Sequence, residues 1–493
     1  MSEKITIIGA GMAGLSAGCY LQDNGYSTEI LEAHTLPGGL CTSWERKGYL
    51  IEGCIHGLLG SEPSHPFYKL WNEMIDMEQI QFYDSPIVHL FLFEDGQRFT
   101  IYSDLDLLEA YLKDLAPEDS APIEDFIRGC RRSQSAVMPV EKPIQFYNLW
   151  DYLKMVKQAP LLPFMRKWTN TSAEEFAGRF QNPLLRSAMR HVMEPVLFEM
   201  FVLSEMDLKR SGFPLCGSRD FAGMLAEKYL ALGGHIHYRK RVEHIRVEDG
   251  CAVGVELDDG SFYPAGTVVS AADGQSTLFK MLGKEYVPED TRRLYESMKL
   301  NTSRVQVALG VSRTFEDLPA TVKIIFDTPW EIADGSRYES IDVIIFSHAP
   351  AFAPPGKTLL NVQLETTSDA FWGNLRSQDR AAYRAAKTAL ADELISILDR
   401  RLGNIAAYID MVDVATPASY LRYTGNWRGS IQGWANENIF AANPFKKELP
   451  GLERFYMAGQ WVEPGGGVPL AYKSGRDLAQ IICRRDGRKF GRK

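Results

Sequence analysis

Four residues of a short strand-like run, Ile5-Thr6-Ile7-Ile8, lead straight into Gly9-Ala10-Gly11-Met12-Ala13-Gly14 and then into MAGLSAGCYLQDNGY, whose apolar positions fall at helical spacing. A GxGxxG run held between a strand and a helix leaves the backbone little choice. Gly9 permits the tight turn, Gly11 lets main chain approach a pyrophosphate, and Gly14 lets the helix pack closely on the strand. The helix start then offers unpaired N–H groups and partial positive charge to phosphates. A second run, STEILE, ends on Glu32, 18 residues past Gly14, where a carboxylate accepts both hydroxyls of an adenosine ribose and disfavours a 2'-phosphate. The unit reads as a β-turn-α-β site for NAD or FAD, with a glycine turn that holds no nucleotide as the bland alternative.

Two later blocks carry the same grammar. DFAGMLAEKYLALGG predicts a helix stopped by Gly233 and Gly234, and the alternating segment after it, with turns at Asp249-Gly250 and Asp259-Gly260, predicts hairpins returning to a buried strand. LERFYMAGQWVEPGGGVPLAYKSGRDLAQIICRR predicts strand, glycine-rich turn and helix. Signals at the start, middle and end imply one nucleotide-binding domain assembled from residues 1–90, 215–290 and 435–493. Residues 91–214 and 291–434 are expected to form a second domain, mainly helical before 215 and later built from the runs RVQVALGV, VKIIF, DVIIF and LLNVQLE with a long helix near 378–401.

Charge and cysteine content narrow the partners. With 54 basic and 63 acidic side chains the net charge is −9, which argues against nucleic acid as a ligand. The exception is the tail RRDGRKFGRK, read as a solvated basic end that could alternatively touch anionic lipid. Seven cysteines without CxxC spacing fit a reduced, cytoplasmic compartment. The first residues lack a signal-peptide core, and no run of 18 apolar residues predicts a membrane span. Residues 146–168 mix Phe146, Trp150, Phe164 and Trp168 with Lys154, Lys157, Arg166 and Lys167, a pattern that suits a helix lying in a membrane interface or capping a greasy tunnel. A helix packed on its own domain is the equal alternative.

The stretch after Glu32, EAHTLPGGLCTSWERKGYLIEGCIHG, adds a second glycine turn at Pro37-Gly38-Gly39. Here the sequence resembles the FAD-dependent amine-oxidase superfamily, and within it the phytoene desaturase, carotenoid isomerase and retinol saturase group. VVSAAD at 268–273, TPASYLRYTGNWRGSIQGW at 416–434 and MAGQWVEPGGGVPLAYKSGRDLA at 457–479 carry the resemblance across nearly the whole chain. It implies a glutathione-reductase-like α/β fold: an FAD-binding Rossmann domain from discontinuous segments, with a second mixed-sheet plus helical substrate domain. It further implies that Gly9, Gly11, Ala13 and Gly14 face the pyrophosphate, Glu32 the ribose, and Gly38, Gly39 and Leu40 the second phosphate turn. Val242 would meet the adenine, while Gly459 and Gly467-Val468-Pro469 would lie beneath the ribityl chain and the ring, where a helix N-terminus stabilises reduced flavin. Two departures stand out. Gly217 is followed by Ser218 where the family often has a second glycine, and Leu40 replaces an arginine usual in amine oxidases, which counts against an amine substrate.

The implied activity is oxidoreduction at carbon–carbon double bonds of a lipophilic polyene or isoprenoid: desaturation, saturation or isomerisation, with the electron donor or acceptor unspecified. His56, in an Ile-His pair like that of retinol saturases, is the expected proton carrier, and a turn histidine bonded to backbone is its bland reading. Glu463 is a second candidate acid near the ring, against a surface carboxylate, and Trp461 either flanks the ring or packs in the core. His235 and His237 lack a third ligand, so no metal is expected, and no GxSxG nucleophile motif is present. Competing readings are a non-catalytic prenyl-lipid binder on the same fold and a conventional amine oxidase.

Overall fold

A computed structural model describes residues 4–136, 139–435 and 443–491. Five short strands drawn from three distant parts of the chain form one parallel sheet, in the order His235–Tyr238, Thr28–Glu32, Ile5–Ile8, Thr267–Ser270 and Phe455–Met457. The inner strands are buried along nearly their whole length, as a sheet covered on each side requires. Helices Met12–Asp23, Gly217–Ala231 and Gly467–Arg485 supply cover on one side. The hairpin strands Val242–Glu248, Cys251–Leu257 and Phe262–Pro264 cover the other.

The first and last helices cross almost backbone to backbone. A Cβ on Gly475 would stand 2.3 Å from the Ala13 carbonyl oxygen and 2.6 Å from the Ala17 nitrogen. Ser16 Oγ donates to the Tyr472 carbonyl at 2.7 Å across the same seam. Nearby, Arg476 holds Glu73 through Nε and Nη2 at 2.8 and 3.0 Å, and the Tyr20 hydroxyl donates to Glu73 at 2.6 Å. These contacts lock the chain's two ends together.

The second sheet has seven strands, in the order Ile409–Ala415, Ser303–Val311, Thr358–Thr366, Arg337–Ile345, Thr321–Glu331, Ile87–Leu92 and Arg98–Tyr102. All neighbours are antiparallel except Thr321–Glu331 with Ile87–Leu92. The four expected apolar runs lie in these strands, and the long helix is Arg380–Leu402. The boundary placed at residue 90 falls inside the strand Ile87–Leu92, which pairs with the second sheet. IVHLFL reads as strand by alternation, but only the partner at 321–331 decides which sheet receives it.

Residues 484–489 are exposed, in keeping with a solvated tail, yet several of their side chains also touch the body. The Arg484 guanidinium lies 4.4 Å from the Phe146 ring centre, Arg488 lies 4.3 Å from that of Tyr26, and Arg485 bonds Asp486 and the Tyr456 hydroxyl. Apolar stems and cation–π contacts draw these side chains onto the body. Arg492 and Lys493 lie outside the described residues.

Overpacking the helix crossing should be expensive. Gly475→Val is expected to cost about 1–3 kcal/mol or more, read as a lowered melting temperature. Gly223→Ala, whose Cβ meets nothing within 4 Å, should leave that temperature unchanged or slightly raised.

Candidate functional site

A cavity of about 620 Å³ is walled by both sheets and by the turns at the carboxyl ends of the parallel strands. This is where open α/β sheets bind ligands. Gly11 bridges to Gly38, and Gly38 N donates to the Ala10 carbonyl at 2.8 Å, so the two glycine turns lie side by side. Gly38 has φ +107°, and a Cβ there would stand 2.3 Å from the Cys41 carbonyl oxygen. A Cβ on Gly11, in contrast, would meet only the Gly38 oxygen at 4.0 Å. The space over Gly11 is therefore left for something other than protein.

What belongs there follows from the donors. The helix Met12–Asp23 begins at N-cap Gly11 with no side chain on its opening N–H groups, and the helix Gly467–Arg485 begins the same way at Gly466. Both starts open into the cavity. Two uncapped helix ends attract anionic groups. Glu32 lines the cavity with its carboxylate fixed by Ala10 N at 2.6 Å and His34 N at 2.7 Å, leaving lone pairs for a ribose.

Of the expected cofactor residues, Gly9, Gly11, Ala13, Glu32, Gly38, Gly39, Leu40, Val242, Gly459, Gly467 and Val468 line this cavity. Gly14 and Pro469 do not. Gly14 is pressed against the strand turn, where a Cβ would stand 2.0 Å from the Gly9 oxygen, so it serves helix packing and does not face the pyrophosphate. Pro469 lies in the first turn of the last helix, where its missing N–H costs nothing. Trp461 lines the cavity yet is 2% exposed and packs against Trp434 and Trp427.

The two expected proton carriers stand elsewhere than expected. Glu463 is not a lining residue: its carboxylate bonds Lys447 Nζ at 2.8 Å. Burial works to raise its pKa, and the ammonium beside it overrides that and holds it below the usual carboxylate value. A carboxylate kept ionised is no proton donor near neutral pH. His56 is not among the lining residues and is tied to the seven-stranded sheet, with its Nε2 at 2.7 Å from Gln363 Nε2. Gln363 Oε1 accepts from the Arg304 guanidinium, so its amide N–H must donate to His56. The imidazole is then neutral, with its proton on Nδ1 and its Nε2 lone pair taken. Although accessible to solvent, His56 is crowded by protein; burial, then the Arg304 charge, push its pKa down to about 3.

Several site residues escaped the sequence reading. Glu52 is fully buried and ties the layers together. Its carboxylate accepts from Ser218 N at 2.9 Å, Ser43 Oγ at 3.1 Å and Cys54 N at 2.8 Å. Its main-chain oxygen accepts from Gln306 Nε2 at 2.8 Å and Asn361 Nδ2 at 3.0 Å, side chains of the second sheet. Ser218, where a second glycine was expected, thus earns its place: its Oγ accepts from Ile55 N at 2.8 Å. Arg304 and Tyr420 also line the cavity. The signal for Arg304 was a charge opening a largely apolar strand, RVQVALGV. Among the described residues no cluster of three His, Cys, Asp or Glu side chains could hold a metal, and no helix is long and apolar enough to cross a membrane.

Residues 12–483 match the family model of the flavin containing amine oxidoreductases. The chain belongs to that family. Its cofactor is FAD, and the paired glycine turns and Glu32 would suit a dinucleotide of this kind. The prolycopene isomerase 2, chloroplastic, of an Oncidium hybrid cultivar is 24% identical over 97% of this chain and 83% of its own length. The 4,4'-diapophytoene desaturase (4,4'-diapolycopene-forming) of a Methylomonas species is 22% identical over 99% and 97%. Among solved structures, an oxidoreductase from Methanosarcina mazei superposes with a TM-score of 0.60 at 16% identity, covering 97% of this chain and all of the other. In this flavoprotein the last helix's N-terminus and Gly459 would hold the ribityl and ring portion, and the first helix and Gly38-Gly39 the diphosphate.

Gly11→Ala should fold but purify with little flavin, since the added Cβ enters the space over the turn and meets no protein atom closer than 4.0 Å; flavin absorbance and melting temperature check this. The Lys447–Glu463 pair depresses the folded carboxyl pKa, so its stabilisation is full above the ordinary value of 4.5 and is lost as pH falls through the lower folded value. Melting temperature should accordingly fall less steeply below that pH in Glu463→Gln than in the parent.

Proposed function

We propose that this flavoprotein changes the saturation or geometry of carbon–carbon double bonds in a lipophilic, polyene-type substrate. The observation that carries the reading is the single cavity in which the flavin cradle meets the face of the seven-stranded sheet. Two relatives along nearly the whole chain are named for carotenoid isomerisation and desaturation, which supports it. FAD supplies a two-electron acceptor and donor at this place. The chain's own residues bind the diphosphate on helix ends, fix the ribose on Glu32, and hold the substrate against the sheet. His56 acts in this reading as a neutral donor that orients substrate, and the proton-carrier role does not pass to Glu463.

Substrate delivery is proposed to use the helix Leu149–Val156. None of its residues is buried, and Leu149 and Trp150 are 72% and 73% exposed. With Lys154, Lys157, Arg166 and Lys167 close by, this apolar face suits an anionic lipid surface.

Anaerobic mixing of the purified protein, oxidised and then pre-reduced, with carotenoids, retinoids and amines tests the reaction class. Flavin absorbance should respond to polyenes and not to amines; reduction by amines alone would overturn the reading. With a reactive polyene, His56→Ala should raise KM several-fold while changing kcat little, and a collapse of kcat would restore His56 as a proton carrier. Sedimentation with phosphatidylglycerol vesicles should be lost in the double variant Leu149→Glu, Trp150→Glu, with the flavin spectrum unchanged. Binding that persists in this variant refutes the lipid contact.

A further inference from the structure

The seven-stranded sheet brings one cationic side chain, Arg304, to the cavity wall. Arg304, Gln306 and Ala308 alternate along one face of the strand Ser303–Val311, opposite Glu365, Gln363 and Asn361 of the neighbouring strand. Arg304 lines the cavity, and its guanidinium donates to Gln363 Oε1. Its Nε is buried without a hydrogen-bond partner. Glu365, directly across from it, turns its carboxylate to Thr302 Oγ1 at 3.1 Å, and among the described residues Arg304 forms no ion pair. Gln306 is satisfied by the Glu52 oxygen and the Tyr420 hydroxyl, so it cannot serve as the missing acceptor.

Arg304 stands at the cavity wall with no carboxylate among the described residues to neutralise it, so its guanidinium is left to attract an anion that enters the cavity. The acceptor that matches its planar fork is a carboxylate, which takes two parallel N–H bonds. His56 stands beside this place with Nδ1–H as a further donor, and carries no positive charge at neutral pH that could substitute for the arginine.

We infer that the substrate carries a carboxylate head that docks on Arg304, so that the enzyme acts on an unsaturated lipophilic acid and not on a neutral hydrocarbon. The inference rests on the double-bond reading above and names the substrate class for that same cavity. The carboxylate fixes one end of the chain; the apolar remainder then threads along the cavity, which sets the double bond presented to the flavin by its distance from the head.

Equilibrium binding to the flavin-loaded protein tests this, using retinoate against methyl retinoate and oleate against methyl oleate in the same detergent. The parent should bind each acid at least tenfold more tightly than its ester. Arg304→Gln should erase that preference with flavin content unchanged, and Arg304→Lys should retain part of it. Equal affinity for acid and ester in the parent, a preference that survives in Arg304→Gln, or loss of flavin in Arg304→Gln would each overturn the inference. If Arg304→Gln does not fold, the parent's acid-to-ester ratio and Arg304→Lys decide. Because binding is read without turnover, inertness toward every polyene would count against the reaction class alone. Turnover of neutral carotenoids with no acid preference would sink the carboxylate head alone.

Discussion

Everything in this molecule depends on two backbone turns touching. Gly38 N donates to the Ala10 carbonyl at 2.8 Å, and a Cβ on Gly39 would already stand 3.3 Å from Gly11 Cα. That contact sets the strand end, the start of the first helix and the second glycine loop at fixed positions around one open space. The helix end supplies donors, the loop supplies a wall, and Glu32, fixed by Ala10 N and His34 N, supplies the acceptor.

The second dependency is the buried Glu52. Its carboxylate gathers donors from the nucleotide-binding half, and its main-chain oxygen gathers Gln306 and Asn361 from the seven-stranded sheet. One residue therefore sets the height of the sheet floor relative to the flavin cradle. Arg304 and Gln363 inherit their positions from this arrangement, since they stand on the same two strands as Gln306 and Asn361. The cavity wall is thus coupled to packing between the layers, and a shift of either strand would move Arg304 relative to the glycine turns.

Much of the nucleotide half was legible in the residues. The GAGMAG turn, Glu32, the PGG turn and the PGGGVPLA helix start are local in sequence, and each works through backbone geometry that local residues dictate. The failures share a cause. Gly14 and Pro469 belong to the right motifs but do not line the cavity, because a motif does not say which way each member points once the helix packs. Glu463 read as an acid near a ring, yet Lys447, 16 residues away, fixes its charge. His56 read as a proton carrier until Gln363, from a strand 307 residues away, took its lone pair.

The amino-acid order alone determined the parallel nucleotide-binding sheet, the dinucleotide cradle and the family of cofactor, because strands, turns and helix starts are encoded by short-range steric and hydrogen-bonding rules. Only tertiary structure decided which sheet receives Ile87–Leu92, which charged groups keep a partner, and that an arginine on a distant strand faces the same cavity as the flavin turns. Those outcomes arise from side chains brought together by packing, and protonation and charge pairing are properties of such neighbourhoods, not of any residue by itself.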